Sequence, residues 1–282
     1  MEVIVAKNAG FCFGVKRAIE KATEILNKSQ KKVYSIGALI HNEVVTNDLK
    51  SKGLIEINDV DEIKKLKSET VIIRTHGIEK NLYDILKAND NEIIDLTCPF
   101  VKKIHNVVEK CTKAGYKIIV IGDKNHPEVK GIVSYGKDIY VVSNESEIKS
   151  LPLDKNDKIF LVFQTTADAD KSQKLVDILQ DFYYNIEVSN TICNTTIDRQ
   201  EEVKSLAKVL DIALIVGSVS SSNTMKLYNI SKEFCPNTYI VSSREDLKGI
   251  PIDSNKKIGV FAGASTPQYL IGEILTNVRD EF

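Results

Sequence analysis

From residue 10 to residue 26 the chain reads GFCFGVKRAIEKATEIL, which is a cysteine between glycines followed by the pattern of an amphipathic helix. Two later segments repeat this order of cysteine, helix, β-rich strand and polar loop. The three cysteines are Cys12, Cys98 and Cys193. Because a pattern repeated at nearly constant spacing is typical of a chain built from copies of one unit, the sequence predicts three similar units packed around a common axis.

Polar loops follow the predicted strands of each unit at matching distances. The first loops reach His41, His126 and Ser222, which lie 29, 28 and 29 residues after their cysteines. The second loops reach His76, Thr165 and Ser265. Because α/β folds bind ligands at the carboxyl ends of their parallel strands, we expect these loops and the three thiols to surround one central cavity.

The alternation of strands and helices predicts an α/β fold with parallel sheets covered by helices. We expect the three units to comprise residues 1–97, 98–192 and 193–282. In an alternative assignment of the first strand, residues 1–11 pack with the third unit rather than with the first.

The composition indicates an ordinary globular chain of 282 residues, with 43% hydrophobic residues, 27% charged residues and a net charge of −1. This charge balance gives no argument for nucleic acid or an anionic membrane as a partner. No apolar run approaches the roughly 20 residues of a membrane helix, and the first residues lack the pattern of a signal peptide. We therefore expect a cytoplasmic protein that binds neither nucleic acid nor membrane.

The five cysteines favour metal binding or catalysis over a disulfide scaffold, because cytosolic thiols stay reduced. Cys111 lies on an apolar helix stripe and Cys235 precedes Pro236 at a predicted helix end, so we interpret both as packing residues. Each of the other three precedes a helix, whose dipole stabilises a thiolate. The chain has no short-spaced cysteine pair of the kind that binds structural zinc. An iron–sulfur cluster accepts distant ligands, and three thiolates leave one of four irons open as a Lewis acid.

The loops supply mainly hydrogen-bond donors. Their polar residues are His41, Asn42, His76, His126, Glu128, Thr165, Ser221, Ser222, Asn223 and Ser265. Imidazoles, hydroxyls, an amide and helix N-termini together suit a phosphate or diphosphate without a metal. Glu128 is the only acid of this set, and a closed, partly apolar cavity would raise its pKa, as a general acid at neutral pH requires. His105 lies within a helix, and we interpret it as structural.

Nine ordered motifs, spread from end to end of the chain, resemble those of one family. They begin at Gly10 (GFCFGVKRA), His41 (HNEVV), Thr75 (THG), Thr97 (TCP), His126 (HPE), Gln164 (QTT), Ile192 (ICNTTxxRQ), Ser221 (SSNT) and Ala262 (AGASTP). The family is that of the 4-hydroxy-3-methylbut-2-enyl diphosphate reductases (IspH/LytB), which catalyse the last step of the methylerythritol phosphate route to isoprenoids. Arg74 and Leu96 depart from the small residue and the alanine usual in that family, and neither departure removes a ligand.

The resemblance implies a trefoil of α/β units around one [4Fe-4S] cluster per chain, held by Cys12, Cys98 and Cys193. It implies an allylic diphosphate substrate, reduced to isopentenyl and dimethylallyl diphosphate with electrons from a ferredoxin or flavodoxin. The implied substrate-binding residues are His41, His76, His126, Thr165, Ser221, Ser222, Asn223 and Ser265. The implied catalytic residues are Glu128, Thr165 and His126, with Glu128 protonating the departing hydroxyl.

Two alternative functions remain open from the sequence. A quinolinate-synthase-like enzyme resembles this arrangement in its threefold α/β units and three cysteines, although its loop motifs fit poorly. A cluster-based redox sensor without a substrate is the second alternative, and it would not require six donor loops.

Overall fold

The computed structural model describes residues 1–280, in two compact units. One unit contains residues 1–16, 40–48 and 194 onward, and the other contains residues 17–39 and 49–193. Among residues 1–280, no helix combines the length and the apolar character needed to span a bilayer. The division into units 1–97, 98–192 and 193–282 stays a prediction about the repeat.

The strands and helices alternate along the chain. The strands are β1 (Glu2–Val5), β2 (Val33–Ile36), β3 (Leu54–Ile57), β4 (Thr70–Ile73), β5 (Glu92–Asp95), β6 (Lys117–Ile121), β7 (Ile139–Val142), β8 (Lys158–Phe163), β9 (Asn185–Val188), β10 (Ile212–Val216), β11 (Thr238–Val241) and β12 (Lys257–Ala262). The helices are α1 (Phe13–Lys28), α2 (Glu43–Ser51), α3 (Val60–Lys65), α4 (Lys80–Ala88), α5 (Pro99–Lys113), α6 (Pro127–Val133), α7 (Glu145–Lys149), α8 (Ala169–Phe182), α9 (Asn194–Ala207), α10 (Ser222–Phe234) and α11 (Gln268–Asp280), with a 3₁₀ helix at Arg244–Leu247.

The strands form three four-stranded sheets, and all the strand pairs are parallel. The strand orders are β3-β2-β4-β5, β7-β6-β8-β9 and β11-β10-β12-β1. The order is the same in all three sheets, and β1 takes the edge position in the third sheet that β5 and β9 take in the other two. The predicted α/β class with parallel sheets is therefore confirmed.

The central strands are apolar on both faces because helices cover both sides of each parallel sheet. In β10, Ile212, Leu214 and Val216 pack into one core cluster, in which α11 takes part. Ala213 and Ile215 point to the opposite face and pack with residues of α9 and α10. This alternation follows from the two-residue period of a strand.

The helices that follow the cysteines begin close to their predicted positions. Helix α5 starts at Pro99, where a missing N–H costs no hydrogen bond. The apolar spacing predicts a helix over residues 196–210; the observed helix α9 begins two residues earlier, at Asn194, and ends three residues earlier, at Ala207. A turn in which the Val209 N–H donates to Leu206 O then leads the chain toward β10.

Candidate functional site

The three predicted cluster cysteines share one local structure. Each follows an edge strand, β1, β5 or β9, and stands directly before α1, α5 or α9. The N–H of each cysteine donates to a carbonyl in the loop after the neighbouring strand. The bonds are Cys12 to Ala264 at 3.1 Å, Cys98 to Thr75 at 3.0 Å and Cys193 to Thr165 at 3.0 Å. The same backbone bond therefore holds each cysteine beside a polar loop.

The chemistry of these thiols fits an iron–sulfur cluster. All five cysteines are free of disulfides, and Cys12, Cys98 and Cys193 are each partly exposed. Each thiol stands directly before the first turn of a helix, on a segment of its own. Three soft ligands on separate segments suit a cluster better than a structural zinc.

Glu128 and Thr165 form a buried pair in the larger unit. Glu128 is 1% exposed, and both of its carboxyl oxygens contact Thr165. The Thr165 N–H donates to Oε1 at 2.7 Å, and the Thr165 hydroxyl lies 2.6 Å from Oε2. Burial raises the pKa of Glu128 above its usual value, and the hydrogen bonds from Thr165 oppose that shift. The predicted direction of the pKa shift is confirmed.

His126 lies beside this pair and contacts His76. His126 is the N-cap of α6, and its Nδ1 accepts a 3.2 Å hydrogen bond from the Glu128 N–H. Because Nδ1 is an acceptor, the neutral ring carries its proton on Nε2 and can donate there. The rings of His76 and His126 meet edge to face, with centroids 5.3 Å apart. Two polar loops of this unit therefore converge as predicted.

The serine loops meet in the other unit. Ser221 is the N-cap of α10, and its hydroxyl accepts from the Thr224 N–H at 3.3 Å. The Ser265 hydroxyl donates to His41 O at 3.1 Å and lies 3.4 Å from the Ser221 hydroxyl. The structure therefore brings Ser221, Ser265 and the His41 backbone together, and Ser222 begins α10 directly beside them.

Asn223 presents a buried amide that the protein leaves without hydrogen bonds. The side chain is 4% exposed, and among the described residues neither Nδ2 nor Oδ1 has a hydrogen-bond partner. Buried polar groups are rarely left unpaired, and those that are often serve a ligand. Asn223 occupies the second position of α10, as Glu128 does in α6.

The turn hydrogen bonds correct two of the equivalences that we expected from spacing. Helix α10 is capped by Ser221, so Ser221 rather than Ser222 corresponds to the α6 cap His126. The carbonyl of Thr165 bonds to a cysteine N–H as that of Thr75 does, so Thr166 rather than Thr165 corresponds to His76. Ser221 lies 28 residues after Cys193, as His126 does after Cys98, so the expected equivalence with Ser222 was one residue too far along the chain. For the second loops, the turn hydrogen bonds alone show which residues correspond.

Arg74 supports the turn that carries His76. Its Nε donates to Gly77 O at 3.3 Å. Burial lowers the pKa of Arg74, while the nearby Glu56 and Glu79 carboxylates oppose that shift. The guanidinium lies against Gly37, which has φ +71°, and a Cβ there would be 2.2 Å from Nη1. From the sequence, Arg74 is only a departure from the residue usual in the resembled family. Its packing against Gly37 could not be predicted, because the two residues are 37 positions apart in the chain.

His105 packs beneath the same turn. A Cβ on Gly77, whose φ is +75°, would lie 2.9 Å from the His105 Cε1 atom. The ring stacks on Tyr135, with centroids 4.1 Å apart. Burial lowers the pKa of His105 to about 4, so the ring is neutral at neutral pH. These contacts agree with the structural interpretation of His105.

Replacing Asn223 with leucine is expected to stabilise the free protein and to weaken diphosphate binding. Removing an unpaired buried amide while keeping its shape gains about 1 kcal/mol, which raises the melting temperature by about 2–4 °C. The matched control is Asn42→Leu, because the Asn42 Oδ1 accepts from the Val45 N–H. That variant loses a helix cap and is expected to melt lower. A lower melting temperature for Asn223→Leu would contradict the assignment.

Comparisons with known proteins show the family of this chain. A family model described as LytB protein matches residues 3–279. A relative from Caldanaerobacter subterraneus subsp. tengcongensis, named 4-hydroxy-3-methylbut-2-enyl diphosphate reductase, is 42% identical over 281 residues, which is 99% of this chain and 97% of the relative.

Two solved structures share the fold. The E-1-hydroxy-2-methyl-but-2-enyl-4-diphosphate reductase from Plasmodium falciparum has a TM-score of 0.90 at 30% identity, covering 98% of this chain and 87% of that one. The second structure is an (E)-4-hydroxy-3-methyl-but-2-enyl diphosphate reductase described as the terminal enzyme of the non-mevalonate pathway. It has a TM-score of 0.70 at 38% identity, covering 99% of this chain and 100% of that one. The chain belongs to the LytB family.

Proposed function

We propose that this chain reduces 4-hydroxy-3-methylbut-2-enyl diphosphate to isopentenyl and dimethylallyl diphosphate, as the names of its relatives suggest. The reaction adds two electrons and two protons to the allylic alcohol, breaks its C–O bond and releases water. The observation that carries the proposal is the buried Glu128–Thr165 pair. Burial raises the pKa of Glu128 and so favours the neutral carboxyl, which is the form that can protonate a leaving hydroxyl.

The cofactor is one [4Fe-4S] cluster, held by Cys12, Cys98 and Cys193. When bound, the cluster supplies electrons one at a time, and the iron without a thiolate supplies Lewis acidity. The support for this assignment is that the three thiols share the same helix-terminal position and the same backbone hydrogen bond.

Thr165 passes the proton of Glu128 toward the substrate. Because Oε1 accepts from the Thr165 N–H, the proton of the neutral carboxyl belongs on Oε2, which lies 2.6 Å from the Thr165 hydroxyl oxygen. In that state Oε2 donates to Thr165, and the hydroxyl proton of Thr165 is directed to the departing oxygen. Water then leaves instead of hydroxide.

The polar loops supply the proposed donors for the diphosphate. The proposed ligands are His41, His76, His126, Ser221, Ser222, Asn223 and Ser265, with Thr165 near the reacting hydroxyl. The N-terminus of α10 adds backbone N–H groups and a favourable dipole for an anion. Asn223 lacks hydrogen-bond partners within the protein. A diphosphate oxygen accepts from its Nδ2, and a neighbouring donor of the site pairs with its Oδ1.

The electrons come from a small redox protein, a ferredoxin or a flavodoxin. The free cysteines require a reducing compartment, and the cytoplasm meets that requirement. Once the C–O bond is broken and two electrons are added, the remaining allyl unit can take its proton at either end, so both isomeric diphosphates are expected.

The test is an anaerobic assay of the reconstituted chain with 4-hydroxy-3-methylbut-2-enyl diphosphate and a reduced viologen dye. The proposal predicts that two equivalents of the dye are oxidised per substrate, with formation of both five-carbon diphosphates. A fully loaded cluster that oxidises no dye in the presence of substrate would contradict it and would favour the redox sensor.

A further inference from the structure

Arg17 holds the backbone that leads into Cys98. Arg17 lies on α1, and its Nη2 donates to Thr97 O at 2.9 Å and to Leu96 O at 3.1 Å. These two residues directly precede Cys98 in the sequence. A guanidinium that bridges consecutive carbonyls makes charge-assisted hydrogen bonds, which are stronger than neutral ones.

Arg199 makes a similar contact in the other unit. Arg199 lies on α9 and is 6% exposed. Its Nη2 donates to Gly10 O at 2.9 Å, and its Nη1 donates to Thr195 O at 2.8 Å. Gly10 lies two residues before Cys12. In both cases, an arginine on the helix that follows one cysteine binds the segment that precedes another cysteine.

The bonds from Arg17 complete the hydrogen bonding of the Cys98 segment. The N–H groups of Leu96, Thr97 and Cys98 donate to Ile73 O, Asp95 Oδ1 and Thr75 O, at 2.9 to 3.0 Å. Arg17 then occupies the Leu96 and Thr97 carbonyls. Each polar backbone group just before the thiol is therefore bonded, which fixes the position of the Cys98 side chain.

The segment before Cys193 is held by a neutral group. The Thr191 hydroxyl donates to Phe163 O at 2.6 Å and accepts from the Phe163 N–H at 2.7 Å. The thiols of Cys12 and Cys98 thus stand next to guanidinium-bound backbone, whereas the backbone before Cys193 is bound by a hydroxyl. Burying a guanidinium costs desolvation free energy, and a nearby anionic group offsets that cost.

We propose that Arg17 and Arg199 are positioning residues for the iron–sulfur cluster, each fixing the backbone that leads into one cysteine, Cys98 or Cys12, and placing a positive charge against that backbone. This inference rests on the cluster assignment of the proposed function. Positive charge stabilises the reduced cluster more than the oxidised one, because reduction adds a negative charge. Loss of either guanidinium therefore loosens one thiolate and lowers the reduction potential.

The test compares Arg17→Met, Arg199→Met, Arg17→Lys and Lys103→Met after anaerobic reconstitution, without substrate. Lys103 is the matched control, because it lies five residues after Cys98, as Arg17 lies five after Cys12, and its side chain is exposed. The readouts are the rate of iron release to a chelator, the midpoint potential and the melting temperature of the iron-free chain.

Both methionine variants are expected to release iron at least about tenfold faster, as the loss of a charge-assisted hydrogen bond implies, and to have lower potentials. Arg17→Lys is expected to recover the potential but not the full iron retention, because it keeps the charge and loses the bridging geometry. Lys103→Met should behave as the unaltered chain. The proposal would be overturned if iron release and midpoint potential were unchanged in both methionine variants. It would also be overturned if their faster iron release were accompanied by an equivalent loss of stability, seen as a lower melting temperature of the iron-free chain.

These measurements need no turnover. A chain that holds its cluster through Arg17 and Arg199 but oxidises no dye with substrate would refute the proposed reaction and leave this inference standing. If the unaltered chain turns over normally and the arginine variants release iron at its rate, the proposed reaction stands and this inference is refuted.

Discussion

Glu128→Gln is expected to reduce turnover by about a thousandfold, with the cluster absorbance and substrate binding retained. Glutamine keeps the shape of the side chain, and its Oε1 can still accept from the Thr165 N–H, as the Glu128 carboxyl does at 2.7 Å. Its Nε2 can donate to the Thr165 hydroxyl, as a neutral carboxyl does, but it has no proton to transfer to the leaving hydroxyl. The measurement is dye oxidation under substrate saturation, with binding measured separately.

The matched control is Glu145→Gln. Glu145 lies in the first turn of α7 and makes a surface ion pair with Lys149. Loss of such a pair changes stability by less than about 1 kcal/mol, so this variant should keep full turnover. Full turnover in Glu128→Gln would remove Glu128 from the proton transfer, and Thr165 would lose its proposed role with it.

The raised pKa of Glu128 also sets a pH dependence. The neutral form is the one that donates, so turnover is expected to fall as pH rises through the raised pKa of this carboxyl. The same shift acts on stability. The folded chain favours the neutral carboxyl, so this contribution to stability is fully present below the ordinary pKa of a glutamate and is lost as pH rises through the raised value. Glu128→Gln, which does not ionise, should melt no lower than the unaltered chain at neutral pH.

Cys98→Ala is expected to reduce the bound iron to near zero and to abolish turnover. Removing one of three cysteine ligands leaves two thiolates, which are too few to retain a four-iron cluster in water. Iron and sulfide per chain after anaerobic reconstitution measure the effect. Cys12→Ala and Cys193→Ala should give the same result, because the three cysteines share one local structure.

Cys111→Ala is the control for that experiment. Cys111 is partly buried and packs against the core around α5. Burial raises the pKa of its thiol and so disfavours the thiolate that binds iron. Its replacement should leave the iron content unchanged. Full iron and sulfide content in Cys98→Ala, or a loss of iron and sulfide in Cys111→Ala, would contradict the ligand assignment.

The sequence predicted the fold through its repeat, and it missed elements that no repeated motif follows. Helices behind the cysteines were predicted because their apolar residues recur at helical spacing over fourteen to sixteen residues. Strands β3, β7 and β11, each on a sheet edge, were missed. Their length is not the reason, because β2, β4 and β5 also have four residues and were predicted. Those strands lead into a polar loop or a cysteine of the repeat, whereas β3, β7 and β11 do not.

The individual residues of the site were predicted better than their correspondence between repeats. Loop positions such as His126 and Ser221 were recognised from their residue types, because caps and donor groups have clear sequence signatures. Their alignment required the turn hydrogen bonds, because residue type alone did not show whether Ser221 or Ser222 caps α10. Arg17 and Arg199 lie within the motifs that begin at Gly10 and Ile192, but no role was predicted for either. A charged residue on an amphipathic helix ordinarily faces solvent, and only the carbonyls at Thr97 and Gly10 show where these guanidinium groups bind.

Mössbauer spectroscopy of the chain reconstituted with ⁵⁷Fe tests the central proposal most directly. A cluster held by Cys12, Cys98 and Cys193 has one iron without a protein thiolate. The account predicts one iron in four with distinct parameters, which change when 4-hydroxy-3-methylbut-2-enyl diphosphate is added. Four equivalent irons that do not respond to the diphosphate would contradict it.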